Sequence, residues 1–310
     1  MLRRVSVVVA LVLVAVAAGA CDSSSEPSAV ERVLAPGELE PYEGLGTWVD
    51  VYDYVPAFQA AGQPPAVTPE SLDDMAELGV RTLYLQAAQA DERSPGDTVD
   101  AELLGQFLRR AHRNGIAVVG WYLPRFADVD ADLRRIRAIR AFRADDERFD
   151  GIALDLEYTV DVPDVQARND ALLDLSRRVR DLVGDDEAVA AIVLEPVLLE
   201  VVNPLYWPDF PWQGIRRHFD VWMPMSYWTN RDAGSGYRDG FAYTEENVRR
   251  LRANLDDDDA VLHAIGGIGD GATAADYEGF VRASREAHAI GWSVYDFVTS
   301  SSSAWPRLRG

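Results

Sequence analysis

The chain has 310 residues, of which 51 are acidic and 30 are basic, so its formal net charge is −21 at pH 7. A strongly negative charge counts against a nucleic-acid or other polyanion partner, because such partners are held by basic surfaces. All 30 basic residues are arginine, which excludes Schiff-base chemistry on lysine and a phosphate-binding P-loop lysine.

The first twenty residues are typical of a secretory signal peptide. Arg3 and Arg4 precede an apolar run over residues 5–18 that only one serine interrupts, and this run is too short for a spanning helix. Residues 18–21, Ala-Gly-Ala-Cys, resemble the lipobox of bacterial lipoproteins. The resemblance implies export, cleavage before Cys21 and lipidation of its thiol, with the protein held on the outer face of the cell membrane. The alternative is ordinary cleavage that leaves a free thiol.

The segment after the signal peptide is rich in Ser, Pro, Glu and Ala and poor in large apolar residues. This composition predicts that residues 21–41, with Cys21 at their start, form a flexible tether. We expect a folded domain over residues 42–303 and a short C-terminal tail over residues 304–310.

Eight short apolar runs are typical of buried strands. They are Gly46–Val51, Val80–Gln86, Ile116–Tyr122, Gly151–Glu157, Ala188–Glu195, Val221–Tyr227, Ala260–Ile265 and Trp292–Phe297. Most are separated by amphipathic segments of helical length. These are Thr68–Leu78, Ala101–Asn114, Ala131–Arg143, Val165–Val183, Thr244–Leu255 and Ala272–Ile290. The link over residues 204–219 offers only a turn or two of helix, and the last helix is short or missing.

Eight strands alternating with helices in about 260 residues predict a single (βα)8 TIM barrel of the α/β class. A doubly wound open sheet is the alternative, but the sequence lacks the glycine-rich first turn of that fold. In a barrel the functional residues gather at the carboxyl ends of the strands.

The fourth strand carries the most informative residues. Its sequence, Gly-Ile-Ala-Leu-Asp-Leu-Glu over residues 151–157, places Ala153, Asp155 and Glu157 on one face by the alternation of a strand. Two neighbouring carboxyl groups inside the barrel raise one another's pKa, as a general acid requires. A buried network with arginine and a metal-ion site are the alternatives for this pair of carboxyl groups.

Residues 150–157 resemble the strand-four motif of glycosyl hydrolase family 18, which contains the chitinases: Asp-Gly-x-Asp-x-Asp-x-Glu. The resemblance implies that Glu157 is the proton donor and that Asp155 orients the substrate's acetamido group. Ala153 stands where the family usually has another Asp. In the sixth strand, residues 225–228, Met-Ser-Tyr-Trp, are similar to the family's Met-x-Tyr-Asp. Tyr227 would be the active-site tyrosine, and Trp228 replaces the Asp.

Further residues near strand ends are candidates for substrate binding. The family's eighth strand places a Trp beneath the sugar, and Trp292 and Tyr295 are the nearest counterparts here. The remaining candidates are Asp50, Asp53, Gln86, Tyr122, Glu195, Met225 and Trp228. Tyr52, Gln89, Trp121 and Arg125 lie close to the same strand ends. Among the loop aromatics, Trp207, Trp212 and Trp228 are expected to be the most exposed, since they lie in Pro- and Asn-containing loop sequence.

The seventh strand contains no Glu, which counts against barrels that place a nucleophile there. Glu195 is the one extra carboxylate that could act as nucleophile or base, and a structural pairing with arginine is an equal alternative. The four histidines, at positions 112, 218, 263 and 288, show no zinc-binding spacing. We therefore expect no metal site. We also expect no organic cofactor, and we expect the protein to be a monomer.

Together these patterns predict a cell-surface protein similar to glycoside hydrolases, acting on a polysaccharide or glycan, N-acetylated ones included. In the mechanism that the resemblance implies, Glu157 protonates the leaving oxygen and the substrate's own acetamido oxygen is the nucleophile. Asp155 and Tyr227 position that group. One alternative is a glycan-binding barrel that has lost catalysis. The other is a metal-dependent hydrolase that uses Asp50, Asp155, Glu157 and Glu195.

Overall fold

The computed structural model describes residues 34–269 and 271–309. The predicted signal peptide, Cys21 and most of the predicted tether lie outside these residues. Eight parallel strands pair in sequence order and close into a barrel, in which β1 pairs with both β2 and β8. The strands are β1 (Gly44–Val49), β2 (Thr82–Gln86), β3 (Ala117–Tyr122), β4 (Gly151–Leu156), β5 (Val189–Val193), β6 (Val221–Ser226), β7 (His263–Gly267) and β8 (Gly291–Tyr295). The predicted (βα)8 fold is confirmed, and closure rules out the open sheet.

Helices fill the links between the strands. They are α1 (Val51–Tyr54), α2 (Ser71–Glu77), α3 (Ala101–Arg113), α4 (Val129–Ala141), α5 (Val165–Val183), α6 (Trp212–Ile215), α7 (Gly240–Leu255), α8 (Ala274–Glu286) and α9 (Trp305–Leu308). Side-chain caps begin most of the long helices: the carboxylates of Asp100, Asp128, Asp164 and Asp239 each accept a backbone amide hydrogen bond from the first turn. The last helix has only four residues, as the sequence predicted.

Alternation along the strands divides the buried side chains into two cores. One core lies between the strands and the helices and includes Ile152, Leu154 and Leu156. The other fills the barrel interior and includes Ala153 and Trp48. This division fixes which residues of each strand can reach a ligand, because only the interior set points towards the barrel mouth.

The folded part extends beyond both predicted boundaries. At its start, the Ala35 amide donates to the Asp186 carbonyl oxygen, and the Glu38 carboxylate accepts a hydrogen bond from the Ala188 amide. At its end, Trp305 and Leu308 are buried. Both segments are stabilised by contacts with residues distant in the sequence, and local composition does not reveal such contacts. Composition alone therefore predicted a tether that includes residues 34–41 and a tail that includes residues 304–309. Within the described ranges, no helix combines the length and apolarity needed to span a membrane.

Candidate active site

A cavity of about 320 Å³ opens at the carboxyl ends of the strands. Its lining residues are Trp48, Asp50, Tyr52, Gln86, Gln89, Trp121, Leu123, Arg125, Asp155, Glu157, Tyr158, Ile192, Met225, Tyr227, Ile265 and Tyr295. Every strand, or the residues directly after it, contributes to this wall. A volume of this size suits one or two small rings of a ligand, and the lining offers both polar and apolar groups.

Asp155 and Glu157 both line the cavity, which confirms the predicted phase of β4. Asp155 is buried, and its Oδ1 has no hydrogen-bond partner among the described residues. Burial raises the pKa of both carboxyl groups, and the charge of Glu157 raises the pKa of Asp155 further. Two desolvated carboxyl groups that interact in this way retain a proton to higher pH than an isolated carboxyl group.

Tyr227 faces the same cavity from the end of β6, and its ring lies 6.1 Å from that of Tyr295 at the end of β8. Burial is the main cause of its raised pKa, and Glu157 and Asp155 add to the effect. Its hydroxyl therefore stays protonated and can donate a hydrogen bond. The sequence predicts that these three side chains lie together, and the structure places all three on the cavity wall.

Two further candidates form the polar wall at β1 and β2. The Tyr295 hydroxyl donates to Asp50 Oδ2 over 2.7 Å. Gln86 Oε1 accepts a hydrogen bond from the Val51 amide, and Gln86 Nε2 donates to Gln89 Oε1. Because these bonds fix the side chains before any ligand enters, this wall is preorganised. Met225 also lines the cavity, as expected from its position on β6.

The aromatic floor comes from strands other than the one expected. Trp48 on β1 stacks on Tyr84 with ring centroids 4.3 Å apart, and it contacts Trp121 on β3 edge to face. Trp48 and Trp121 both line the cavity. Trp48 was absent from the predicted site, although strict alternation back from Asp50 would have indicated its inward direction.

Three predicted ligand contacts point away from the cavity. The Tyr122 ring lies in the outer core, and its hydroxyl donates to Asp132 Oδ1. Trp228 is fully buried against Phe280 and Tyr277. The Trp292 indole nitrogen donates to the Leu308 carbonyl oxygen. All three predictions are corrected for the same reason. Each residue is adjacent in the sequence to one whose side chain points into the barrel, so its own side chain points outward.

The loop tryptophans are also buried, contrary to the predicted exposure. Trp207 is packed between Phe126 and Phe210, and its Nε1 donates to Asn169 Oδ1 on α5. Trp212 contacts Phe210 and is likewise buried. These rings anchor the long β5–β6 link to the helix layer, so they cannot stack on a sugar.

Glu195 and Asp53 lie next to the cavity but do not line it. Burial raises the pKa of Glu195 to about 7, an effect that the nearby charge of Arg231 opposes. Asp53 closes a reciprocal cap with Asp50 at the start of α1. Both residues therefore act on the site through neighbours rather than through direct contact with a ligand in the cavity.

Carboxylate oxygens of Asp50, Asp53 and Asp296 lie within 4.8 Å of one another, the one such group among the described residues. Burial, followed by the charges of Asp50 and Asp296, raises the pKa of Asp53 to about 7. A group of this kind relieves its repulsion by sharing a proton or by binding a cation. The amide and hydroxyl of Thr299 hold Asp296 in place.

No family model matches the sequence, and a search of curated proteins finds no match. Solved structures share its fold. The family 18 chitinase of Cycas revoluta in complex with allosamidin superimposes with a TM-score of 0.58 at 13% identity, over 86% of this chain and 98% of that one. The endo-β-1,4-mannanase of Thermotoga petrophila superimposes with a TM-score of 0.56 at 10% identity, over 83% of this chain and 68% of that one. The spore cortex-lytic enzyme of Bacillus megaterium superimposes with a TM-score of 0.54 at 9% identity, over 86% of this chain and 73% of that one. The chain is thus similar in fold to glycoside hydrolases of several specificities.

Proposed function

We propose that this protein is a glycoside hydrolase that cleaves glycans carrying N-acetyl groups. One observation carries the proposal: Asp155 and Glu157 share the inward side of β4 and its end on the cavity wall, near Tyr227 and with raised pKa values. Buried carboxyl pairs of this kind are costly to maintain, and acid–base catalysis of glycosidic cleavage is a task that uses them.

In the proposed mechanism, Glu157 donates its proton to the glycosidic oxygen and then acts as base towards water. The oxygen of the substrate's acetamido group attacks the anomeric carbon as its bond to the protonated glycosidic oxygen breaks and the leaving group departs as an alcohol, so the protein supplies no nucleophile. The water that Glu157 deprotonates then opens the cyclic intermediate. In this mechanism the Tyr227 hydroxyl donates a hydrogen bond to that oxygen, and Asp155 Oδ1, which has no partner among the described residues, accepts one from the acetamido nitrogen. Trp48 and Trp121 form an apolar floor beneath the sugar ring.

A specific observation favours a second candidate, a glycan-binding barrel without catalysis. Ala153 is buried in the barrel interior where the chitinase motif has an Asp, and Trp228 points into the outer core where the motif has another. The cavity therefore lacks two carboxyl groups that the family uses. A protein that kept the cavity and lost turnover would have these same features.

We further propose that the protein acts at the cell surface as a lipoprotein. The arginines of the first residues, the short apolar run and Cys21 support export and lipidation. A glycosidase held there would meet extracellular glycans.

Turnover of defined glycans tests the proposal and separates the two candidates. The protein is assayed on chitooligosaccharides, peptidoglycan fragments and neutral glycans. Glu157→Gln should lose about 10²–10⁴-fold in kcat yet still bind glycan, because it keeps the shape and loses the transferable proton. Asp155→Asn should lose less, and mainly on substrates with an acetamido group. Glu245→Gln, an exposed carboxylate on α7, is the matched control.

Wild-type binding with no turnover on any glycan would favour the binding barrel. Full activity of Glu157→Gln would overturn the acid assignment, and Glu195 would become the next residue to substitute.

A further inference from the structure

One arginine lies on the wall of the cavity. Among the described residues that line it, Arg125 is the one basic residue, and the other charged residues are Asp50, Asp155 and Glu157. A negatively charged group that enters the cavity is repelled by ionised carboxyl groups and attracted by the guanidinium. The side chain of Arg125 is therefore the one position on this wall that favours an anionic group.

A buried carboxylate fixes the loop that carries Arg125 after β3. Asp132 on α4 is only 2% exposed. Its Oδ1 accepts hydrogen bonds from the Tyr122 hydroxyl and the Arg125 amide, and its Oδ2 accepts one from the Phe126 amide. Because three donors converge on one buried carboxylate, the loop keeps its shape and holds Arg125 on the cavity wall before a ligand enters.

Residues of the β4 loop hold the guanidinium itself. The guanidinium carbon lies 5.1 Å from the centre of the Tyr158 ring, and Nη1 donates to Asp161 Oδ2 over 3.4 Å. The Tyr158 hydroxyl donates to the other carboxylate oxygen of Asp161. Tyr158 follows Glu157 directly and lines the same cavity. Arg125 therefore lies on the side of the cavity that carries the proposed general acid.

Most of the hydrogen-bonding capacity of Arg125 is unused within the described part of the chain. A guanidinium has five N–H donors, and the long bond to Asp161 is the one side-chain hydrogen bond that Arg125 makes there. The two side chains of this ion pair are 35% and 31% exposed, so solvent screens their attraction. Arg93, in the β2 loop, instead forms two hydrogen bonds of 2.9 and 2.8 Å with the carboxylate of Asp91. The contrast indicates that Arg125 can bind a ligand, whereas Arg93 is already paired.

The chemistry of this position favours a carboxylate. A planar carboxylate accepts two parallel hydrogen bonds from a guanidinium, and one guanidinium balances one negative charge. A phosphate monoester carries nearly two charges and would bring the excess close to Asp155 and Glu157. Resting on the proposed function, we infer that the substrate is an acidic N-acetylated glycan whose carboxylate binds Arg125.

Two disaccharides that differ in a single charge test this inference. N-acetylglucosamine joined to N-acetylmuramic acid carries a carboxylate on its lactyl group, and the corresponding lactyl amide has nearly the same shape without the charge. The whole chain with Cys21→Ser and Glu157→Gln, the parent protein here, is titrated calorimetrically with each in about 0.15 M salt. The acid should bind about tenfold or more tightly than the amide, because only the acid forms a charged, two-bond pair with Arg125.

Substitutions at two arginines separate direct contact from the general field of the cavity rim. Arg125→Gln should reduce the preference for the acid to about twofold or less, and binding of the amide by the same variant shows that the cavity is intact. Arg125→Lys should keep part of the preference, since it retains the charge and loses the planar guanidinium. Arg93→Gln is the matched control, because Arg93 does not line the cavity, and its preference should equal that of the parent.

A hyaluronan tetrasaccharide, whose carboxylates belong to sugar rings, identifies the source of the charge. Binding that depends on Arg125, by the muramic acid disaccharide or by hyaluronan, supports the inference and shows which acid is used. A preference that Arg93→Gln and Arg125→Gln reduce equally would overturn it, because the field of the rim would then account for the attraction.

Turnover keeps the failure of this inference distinct from the failure of the proposed function. Equal affinity of the parent for acid and amide, with no Arg125-dependent binding of hyaluronan, would overturn the inference and leave the proposed function intact. A wild type that keeps the Arg125-dependent preference but hydrolyses no glycan would overturn the proposed hydrolysis and leave the carboxylate site in place. Failure to bind the acid, the amide and hyaluronan would overturn both.

Discussion

The Tyr295 hydroxyl donates a 2.7 Å hydrogen bond to Asp50 Oδ2, which ties the end of the last strand to the end of the first at the cavity wall. Carboxylate oxygens of Asp50, Asp53 and Asp296 also lie within 4.8 Å of one another. This bond therefore offsets part of the repulsion among three carboxylates at the closing seam of the barrel.

Tyr295→Phe should lower the free energy of unfolding by about 1.5–3 kcal/mol, because it removes a hydrogen bond to a charged, partly buried acceptor. Urea unfolding at pH 7 measures the loss. Tyr158→Phe is the control, since its hydroxyl bonds to Asp161 at the surface, and it should change stability by less than about 0.5 kcal/mol. Equal losses in the two variants would contradict a special role for the Tyr295–Asp50 bond.

Truncation of two tryptophans, one in the cavity floor and one in the outer core, tests the site's boundary. Trp121→Ala should weaken glycan binding by about tenfold or more, since it removes a ring from the floor. Trp228→Ala should cost about 3–5 kcal/mol of stability through loss of a fully buried ring. At a temperature where Trp228→Ala stays folded, its glycan affinity should match that of the wild type. Weaker binding by the folded Trp228 variant would restore Trp228 as a ligand contact.

These two tryptophans also show how far the site could be predicted from the sequence. The fold and the phase of β4 were predictable, because strand alternation is a local pattern and Asp155 and Glu157 share its parity. The same rule separates inward Trp121 and Tyr295 from outward Tyr122 and Trp292, because the members of each pair differ in parity along their strand.

Long-range packing could not be predicted from local patterns. The burial of Trp207 depends on Asn169 and Phe126, which are about 40 and 80 residues away in the sequence. The packing of Ala35 on Asp186 spans about 150 residues. Such contacts follow from how helices and loops pack on the closed barrel, and no composition window contains them.

The pH dependence of stability should contain a contribution from His112. Hydrogen bonds to Asp150 and Glu147 raise its pKa from 6.5 to about 9. Because the folded-state pKa lies above the unfolded value, the stabilisation is fully present below pH 6.5 and is lost as pH rises towards 9. Solvent screens these partly exposed pairs, so we expect about 1–2 kcal/mol.

Urea unfolding of the wild type and His112→Gln at pH 6 and pH 9.5 measures that contribution. The difference in unfolding free energy between the two proteins should shrink at the higher pH. A difference that is independent of pH would show that protonation of His112 does not stabilise the fold.

The location of the protein should depend on Cys21. In cells fed a fatty-acid probe, the wild type should be labelled and recovered in the membrane fraction, and Cys21→Ser should be unlabelled and released. Ser23→Ala, two residues further on, is the control and should behave as the wild type. Labelling of the Cys21 variant, or a soluble wild type, would contradict lipidation at this residue.

The activity of the proposed hydrolase should fall on the alkaline side at the raised pKa of the Asp155–Glu157 pair. A general acid works only while protonated, so kcat/KM is high below that pKa and declines above it. Asp155→Asn removes the like charge, which lets Glu157 lose its proton at lower pH. The alkaline limb of kcat/KM should therefore move to lower pH in this variant. Tyr227→Phe should lower the rate and leave the limb in place, because its hydroxyl is neutral over this range. A limb that stays in place in Asp155→Asn would mean that the two carboxyl groups titrate independently of each other.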